Sequence, residues 1–159
     1  MIKVRLQIEN EKIYDSYDAY GLIYVSADDI LGAPIKPFEK TSYPEEEGEH
    51  ILPWTTDQAF DYKVKWLVAP KDNTLNGANK IIANFNSLLY AKEGNVKRFK
   101  RVTFYNDYKN IKIVGIPSPI SEAVEFWREG KGDNAHNVAV VEWVIRVDKP
   151  SLCDFNISV

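Results

Sequence analysis

The sequence has little of what most catalytic and metal centres are built from. Its 159 residues include one cysteine, Cys153, and two histidines, His50 and His136. A lone cysteine forbids an intrachain disulfide and fits a reducing compartment, where it is expected to act as a small buried or half-buried residue. Zinc needs three or four Cys and His ligands, and no paired spacing of such residues exists to supply them. A nucleophile served by a histidine and a carboxylate would have to recruit His50 from an acidic loop or His136 from a Gly/Asn loop, and both read as plain surface residues. No stretch approaches the ~18 apolar residues of a membrane span, so no membrane partner is expected. Positive charge is also scarce. Lys+Arg 20 against Asp+Glu 23 gives a net charge of -3, without the basic face that a nucleic-acid backbone demands, and no nucleic-acid sequence recognition is expected.

Aromatic residues, in contrast, are plentiful, with nine Tyr, seven Phe and four Trp. They suit half-buried strand faces or a surface used for contact. With 45% hydrophobic and 27% charged residues, the chain is expected to form one β-rich domain over residues 1–159. MIKVRLQIEN carries a polar or charged residue at every second position from Lys3, which is no signal-peptide core. The expected place of the chain is cytoplasmic when synthesised.

Alternation is the main structural signal. Ile2, Val4, Leu6 and Ile8 share one strand face, and YGLIYVS (20–26) reads as a second, more buried strand. ADDILGAPIKP (27–37) is a loop or bulged crossing, and TSYPEEEGEHILPW (41–54) an exposed loop or hairpin tip. Phe60, Tyr62, Val64, Trp66 and Val68 again form one strand face. Ala78, Ile81, Ile82, Phe85, Leu88 and Leu89 then fall at helical spacing, with Thr74 or Asn76 as N-cap and Gly94 as terminator. This is the one expected helix, about residues 75–90. RVTFYNDYKNIKIVGI (101–116) reads as a hairpin turning at NDYKN. SEAVEFWREG (121–130) leans to strand, VAVVEWVIRV (138–147) is a long apolar strand, and LCDFNISV (152–159) is expected to be the last one. The fold class is therefore mainly β, a sandwich or barrel of about eight strands with one flanking helix.

Few arrangements suggest chemistry. Asp28 with Asp29, and the run Glu45 to Glu49, lack the alternation of a calcium loop and read as solvated. GKGDNAH lacks the Gly-Lys-Ser/Thr ending of a phosphate loop. Asp57, Asp61, Glu122 and Glu125 are nameable as a hydrolase carboxylate pair by number alone. Lys97, Arg98, Lys100 and Arg101 read as a solvated strand edge. Neither catalytic residues, a metal nor a cofactor is expected.

The order of elements resembles a known family. A β-rich opening, a Pro/Gly loop at residues 43–48 ahead of an alternating strand, a helix reading ANKIIANFNSLL and the hairpin RVTFYNDYKNIKIVGIP are similar to the tail-tube-type domain of tailed bacteriophages. The likeness is closest to the N-terminal domain of distal tail proteins and covers residues 1–147. It implies a β-sandwich or barrel with one flanking helix, a ring of six copies around a tail lumen, and other tail proteins as partners. The expected function is thus a structural subunit of a phage or prophage tail, located in the virion tail and acting by ring assembly.

The expected assembly loop comprises Tyr43, Pro44, Glu45, Glu46, Glu47 and Gly48 together with Trp54, because it joins exposed aromatics to a charged run. A rival expectation is a binding module for a small apolar ligand or carbohydrate, with Trp54, Trp66, Trp127 and Trp143 lining a pocket. A carboxylate-dependent hydrolase is a third.

Overall fold

The structure, a computed structural model, describes residues 4–44, 47–121, 126–130, 132 and 136–155. Its elements run in the order β1 (Val4–Ile8), β2 (Tyr14–Asp15), α1 (Ser16–Tyr20), β3 (Ile23–Ala27), β4 (Lys40–Thr41), β5 (His50–Ile51), β6 (Phe60–Val68) and α2 (Leu75–Leu88). There follow β7 (Tyr90–Glu93), β8 (Val96–Phe99), β9 (Val102–Asn106), β10 (Ile111–Pro117), β11 (Phe126–Glu129) and β12 (His136–Val147). The main sheet has the strand order β2-β1-β9-β10-β12-β6-β3, with β11 paired beside β12. Every pairing in it is antiparallel.

Strand β10 belongs to both halves of this sheet. Ile111 to Gly115 pair with β9, whereas Ile116 and Pro117 pair with Arg146 and Ile145 of β12. The change of partner falls beside Gly115, where an added Cβ would lie 2.4 Å from the carbonyl oxygen of Arg146. Only glycine lets the two backbones come this close. Beyond the corner the halves face each other: the Phe104 ring on β9 lies 5.9 Å from Tyr62 and 6.0 Å from Trp66, both on β6. With β2 and β3 at its two ends, the sheet is open and not a closed barrel.

The core follows from the alternation. Val4, Leu6 and Ile8 of β1, Tyr62, Val64, Trp66 and Val68 of β6, and Val141, Trp143, Ile145 and Val147 of β12 are all buried. The α2 helix packs across them. Thr74 caps it, its side chain accepting from the Gly77 amide at 3.0 Å, and Ala78, Ile82 and Phe85 form its buried stripe. Phe85 meets Trp143 edge-on at 5.3 Å. Trp143 Nε1 donates to the Ser118 carbonyl at 2.8 Å. The Asn86 amide clamps Ile120 from both sides, donating to its carbonyl and accepting from its amide at 2.8 Å.

Several expectations are corrected. Tyr20 ends a short helix, α1, that was not foreseen; Asp15 caps it by accepting from the Tyr17 and Asp18 amides, and Gly21 closes it at φ 72. Gly94 does not terminate α2. The helix ends at Leu88, and Gly94, at φ 61, sits in the turn of the β7–β8 hairpin. Leu88 is also exposed, outside the buried stripe. In place of a last strand from residue 152, Pro150–Leu152 forms a 3-10 turn and Asp154 makes one isolated bridge to Lys112, while residues 156–159 lie outside the described residues. Cys153 is half-buried, as expected.

Gly115→Ala is expected to lower stability by about 1–3 kcal/mol, because the methyl meets backbone that has nowhere to move, and urea unfolding measures it. Tyr62→Phe should leave the midpoint unchanged or raise it. The Tyr62 hydroxyl is buried with no hydrogen-bond partner among the described residues, so its removal relieves an uncompensated desolvation.

Candidate assembly surface

Between β3 and β6 the chain leaves the sheet as a long two-stranded arm. Its root is held by reciprocal bonds: the Asp28 amide donates to the Lys63 carbonyl at 3.0 Å, and the Lys63 amide to Asp28 Oδ2 at 2.9 Å. Asp29 forms an ion pair with Lys109 beside them. Further out, Ile35 bridges Asp57, the Lys36 amide donates to Thr56 at 2.9 Å and the Gln58 amide to Pro34 at 2.7 Å. The Leu52 amide donates to Glu39, and β4 then pairs with β5 through Lys40–Ile51 and Thr41–His50. Pro34, Pro37, Pro44 and Pro53 supply no amide donors, which keeps the ladder broken into short pieces.

The arm exposes apolar side chains along its length. Leu31 is 82% and Trp54 71% exposed, and Ile35, Phe38, Tyr43, Ile51 and Leu52 are exposed as well. Isolated apolar residues on a surface need no explanation, but seven large ones exposed on a single two-stranded excursion make it the candidate for a contact surface. At the tip the Tyr43 and His50 rings meet edge-on at 5.3 Å, and Lys40 reaches Glu49 at 3.8 Å. Of the expected assembly loop, Tyr43, Pro44, Glu47 and Gly48 stand at this tip, with Gly48 at φ 78. Glu45 and Glu46 lie outside the described residues. Trp54 sits on the returning strand of the arm, towards its root. Ile51 and Leu52 fall within the expected loop's span, 43–54, whereas Leu31, Ile35 and Phe38 were missed; their signal was the scatter of large apolar residues among prolines, which a strand-or-loop reading ignores.

The other candidates disperse. His136 lies 3.4 Å from Asn73 Oδ1 at the start of β12, and His50 belongs to the arm. No group of three or more His, Cys, Asp or Glu among the described residues is placed to hold a metal ion. Asp61 pairs with Arg146 at 3.2 Å and Asp57 bridges Ile35 in the arm, while Glu122 and Glu125 are outside the described residues. Trp66 and Trp143 are fully buried 6.2 Å apart in the core, away from exposed Trp54, and the Trp127 side chain is not among those described. The Cys153 thiol is pushed up in pKa, by burial first, against the lowering effect of its hydrogen bond with Val114. A cleft of about 570 Å³ opens between α1 and the start of α2, with Gly21, Pro70 and Ile81 at its apolar wall and Lys71 and Lys80 among its lining. No helix among the described residues is long and apolar enough to cross a membrane.

The basic run occupies β8 and the link to β9, as a strand edge should. Its arginines are committed internally. Arg98 bonds Glu9 at 2.9 Å, and Arg101 grips Asp148 with two bonds at 2.7 and 2.9 Å. Comparison of the sequence with protein-family models and with curated proteins finds no match.

Arg101, chiefly through its hydrogen bonds, holds the Asp148 carboxyl at about 2. Because the folded value lies below the unfolded one, the pair stabilises the fold above pH ~4 and this contribution is lost as pH falls towards ~2. Both side chains are about a third exposed, so solvent screening limits the effect to roughly 1 kcal/mol or less. Arg101→Gln is expected to narrow the difference in urea midpoint from wild type as pH falls from ~6 to ~2; a constant difference would contradict this assignment.

Proposed function

We propose that the protein is a structural subunit of a phage or prophage tail, of the distal-tail or tail-tube kind, that acts by assembling with further copies of itself into a ring. The arm carries this reading. It is a long element rooted by hydrogen bonds in the main sheet, it exposes aromatic and aliphatic side chains at many levels, and its occupant is a second copy of the chain. A mainly β fold with one main helix also agrees with what the resemblance to tail-tube-type domains implies. Repeated use of one heterologous contact closes a ring when its rotation closes. Other tail proteins would then stack on the ring faces.

Trp54 is the arm's largest exposed apolar side chain and the natural anchor of such a contact. Trp54→Ala should weaken self-association at least tenfold, about 1.4 kcal/mol, while leaving the unfolding midpoint unchanged, as sedimentation velocity and urea titration read out. Ring-shaped particles of six copies by electron microscopy are the expected assembled state. A strict monomer at high concentration would overturn the ring and return attention to the α1–α2 cleft as a binding site for a small apolar ligand or carbohydrate.

A further inference from the structure

The β7–β8 hairpin carries an electrostatic problem that it does not solve by itself. Lys92 and Lys97 stand directly opposite each other in the ladder. Like charges at paired positions on one face repel and destabilise the hairpin. Neither lysine has an anionic partner among the described residues: Lys97 Nζ rests 4.6 Å from the centre of the Tyr90 ring, and the neighbouring anions Glu9 and Glu93 are turned to Arg98. At the hairpin's turn Val96 is 65% exposed. The element thus offers a positive pair beside an apolar tip.

The arm has the opposite problem. Its tip carries the exposed carboxylates Glu47 and Glu49, of which Glu49 reaches Lys40 only at 3.8 Å. We infer that the β7–β8 hairpin of one copy receives the arm tip of the next, Lys92 and Lys97 facing Glu47 and Glu49. The inference rests on the ring-assembly reading and adds to it the receiving surface. Bringing the two patches together relieves both self-repulsions at once, and complementary charge favours this pairing over tip-to-tip or hairpin-to-hairpin contact. It also makes assembly sensitive to salt, since exposed pairs are screened over about 8 Å at physiological ionic strength.

Two charge-reversed chains test it. One carries Lys92→Glu with Lys97→Glu; the other carries Glu47→Lys with Glu49→Lys. All four positions are exposed, and circular dichroism establishes that both chains fold. Each alone should associate at least tenfold more weakly than wild type by sedimentation velocity. An equimolar mixture should recover wild-type association, because each reversed arm then meets an oppositely charged hairpin. Wild-type association should itself weaken several-fold between about 0.05 and 0.5 M salt. If wild type assembles and the reversed chains assemble equally well, or their mixture fails to recover, the hairpin is not the receiver and the ring reading stands without it. If wild type never assembles, the ring reading falls and this inference with it.

Discussion

The close approach of β10 to β12 at Gly115 is the constraint on which the rest of the structure depends. An open antiparallel sheet has one apolar face that must be buried, and here it is buried largely against the sheet's own other half. That requires one strand to leave its first partner and join its second. β10 does so within a single residue step, and the carbonyl of Arg146 occupies the space a side chain would need. With the corner in place, Phe104 from one half reaches Tyr62 and Trp66 of the other, and Tyr24 on β3 joins them at 6.3 Å from Trp66. Asn106, fully buried, extends the same link in polar form: its Nδ2 donates to the Tyr24 hydroxyl, and its Oδ1 accepts from the Tyr108 and Lys109 amides that turn β9 into β10.

Much of this was legible in the sequence because burial on one strand face writes itself as alternation. β1, β6 and the β9–β10 hairpin follow from that pattern directly, and α2 from its stripe and the Thr74 cap. The missed elements are those whose cause is local or distant, with no period to read. α1 is too short for a helical stripe, and its only marks are the Asp15 cap and Gly21. The β7–β8 hairpin hid behind the assumption that Gly94 ends the helix, although Gly-Asn between two short runs is a turn signal in its own right. Gly115 looked like the end of a hairpin. Nothing in the neighbouring residues says that the carbonyl of Arg146, far along the chain, will press against it. For the surface, the tip was visible as acidic residues beside prolines, whereas the full extent of exposed apolar residues needed the arm's geometry.

Four arginines are committed within the fold. Arg5, Arg98, Arg101 and Arg146 each bond a carboxylate of the same chain, Arg5 gripping Asp107 with two bonds at 2.9 and 2.8 Å. Their planar forks suit fixed, bidentate pairing between strands. Lys92 and Lys97, flexible point charges on the β7–β8 hairpin, have no carboxylate partner among the described residues. Pairs of that kind are individually weak. In a closed ring that weakness matters less, because each copy is held from two sides and the last contact forms between ends already brought together, at high effective concentration. In the ring we propose, exposed lysine–glutamate contacts of modest strength would therefore let copies stay apart while dilute and close cooperatively once enough of them meet.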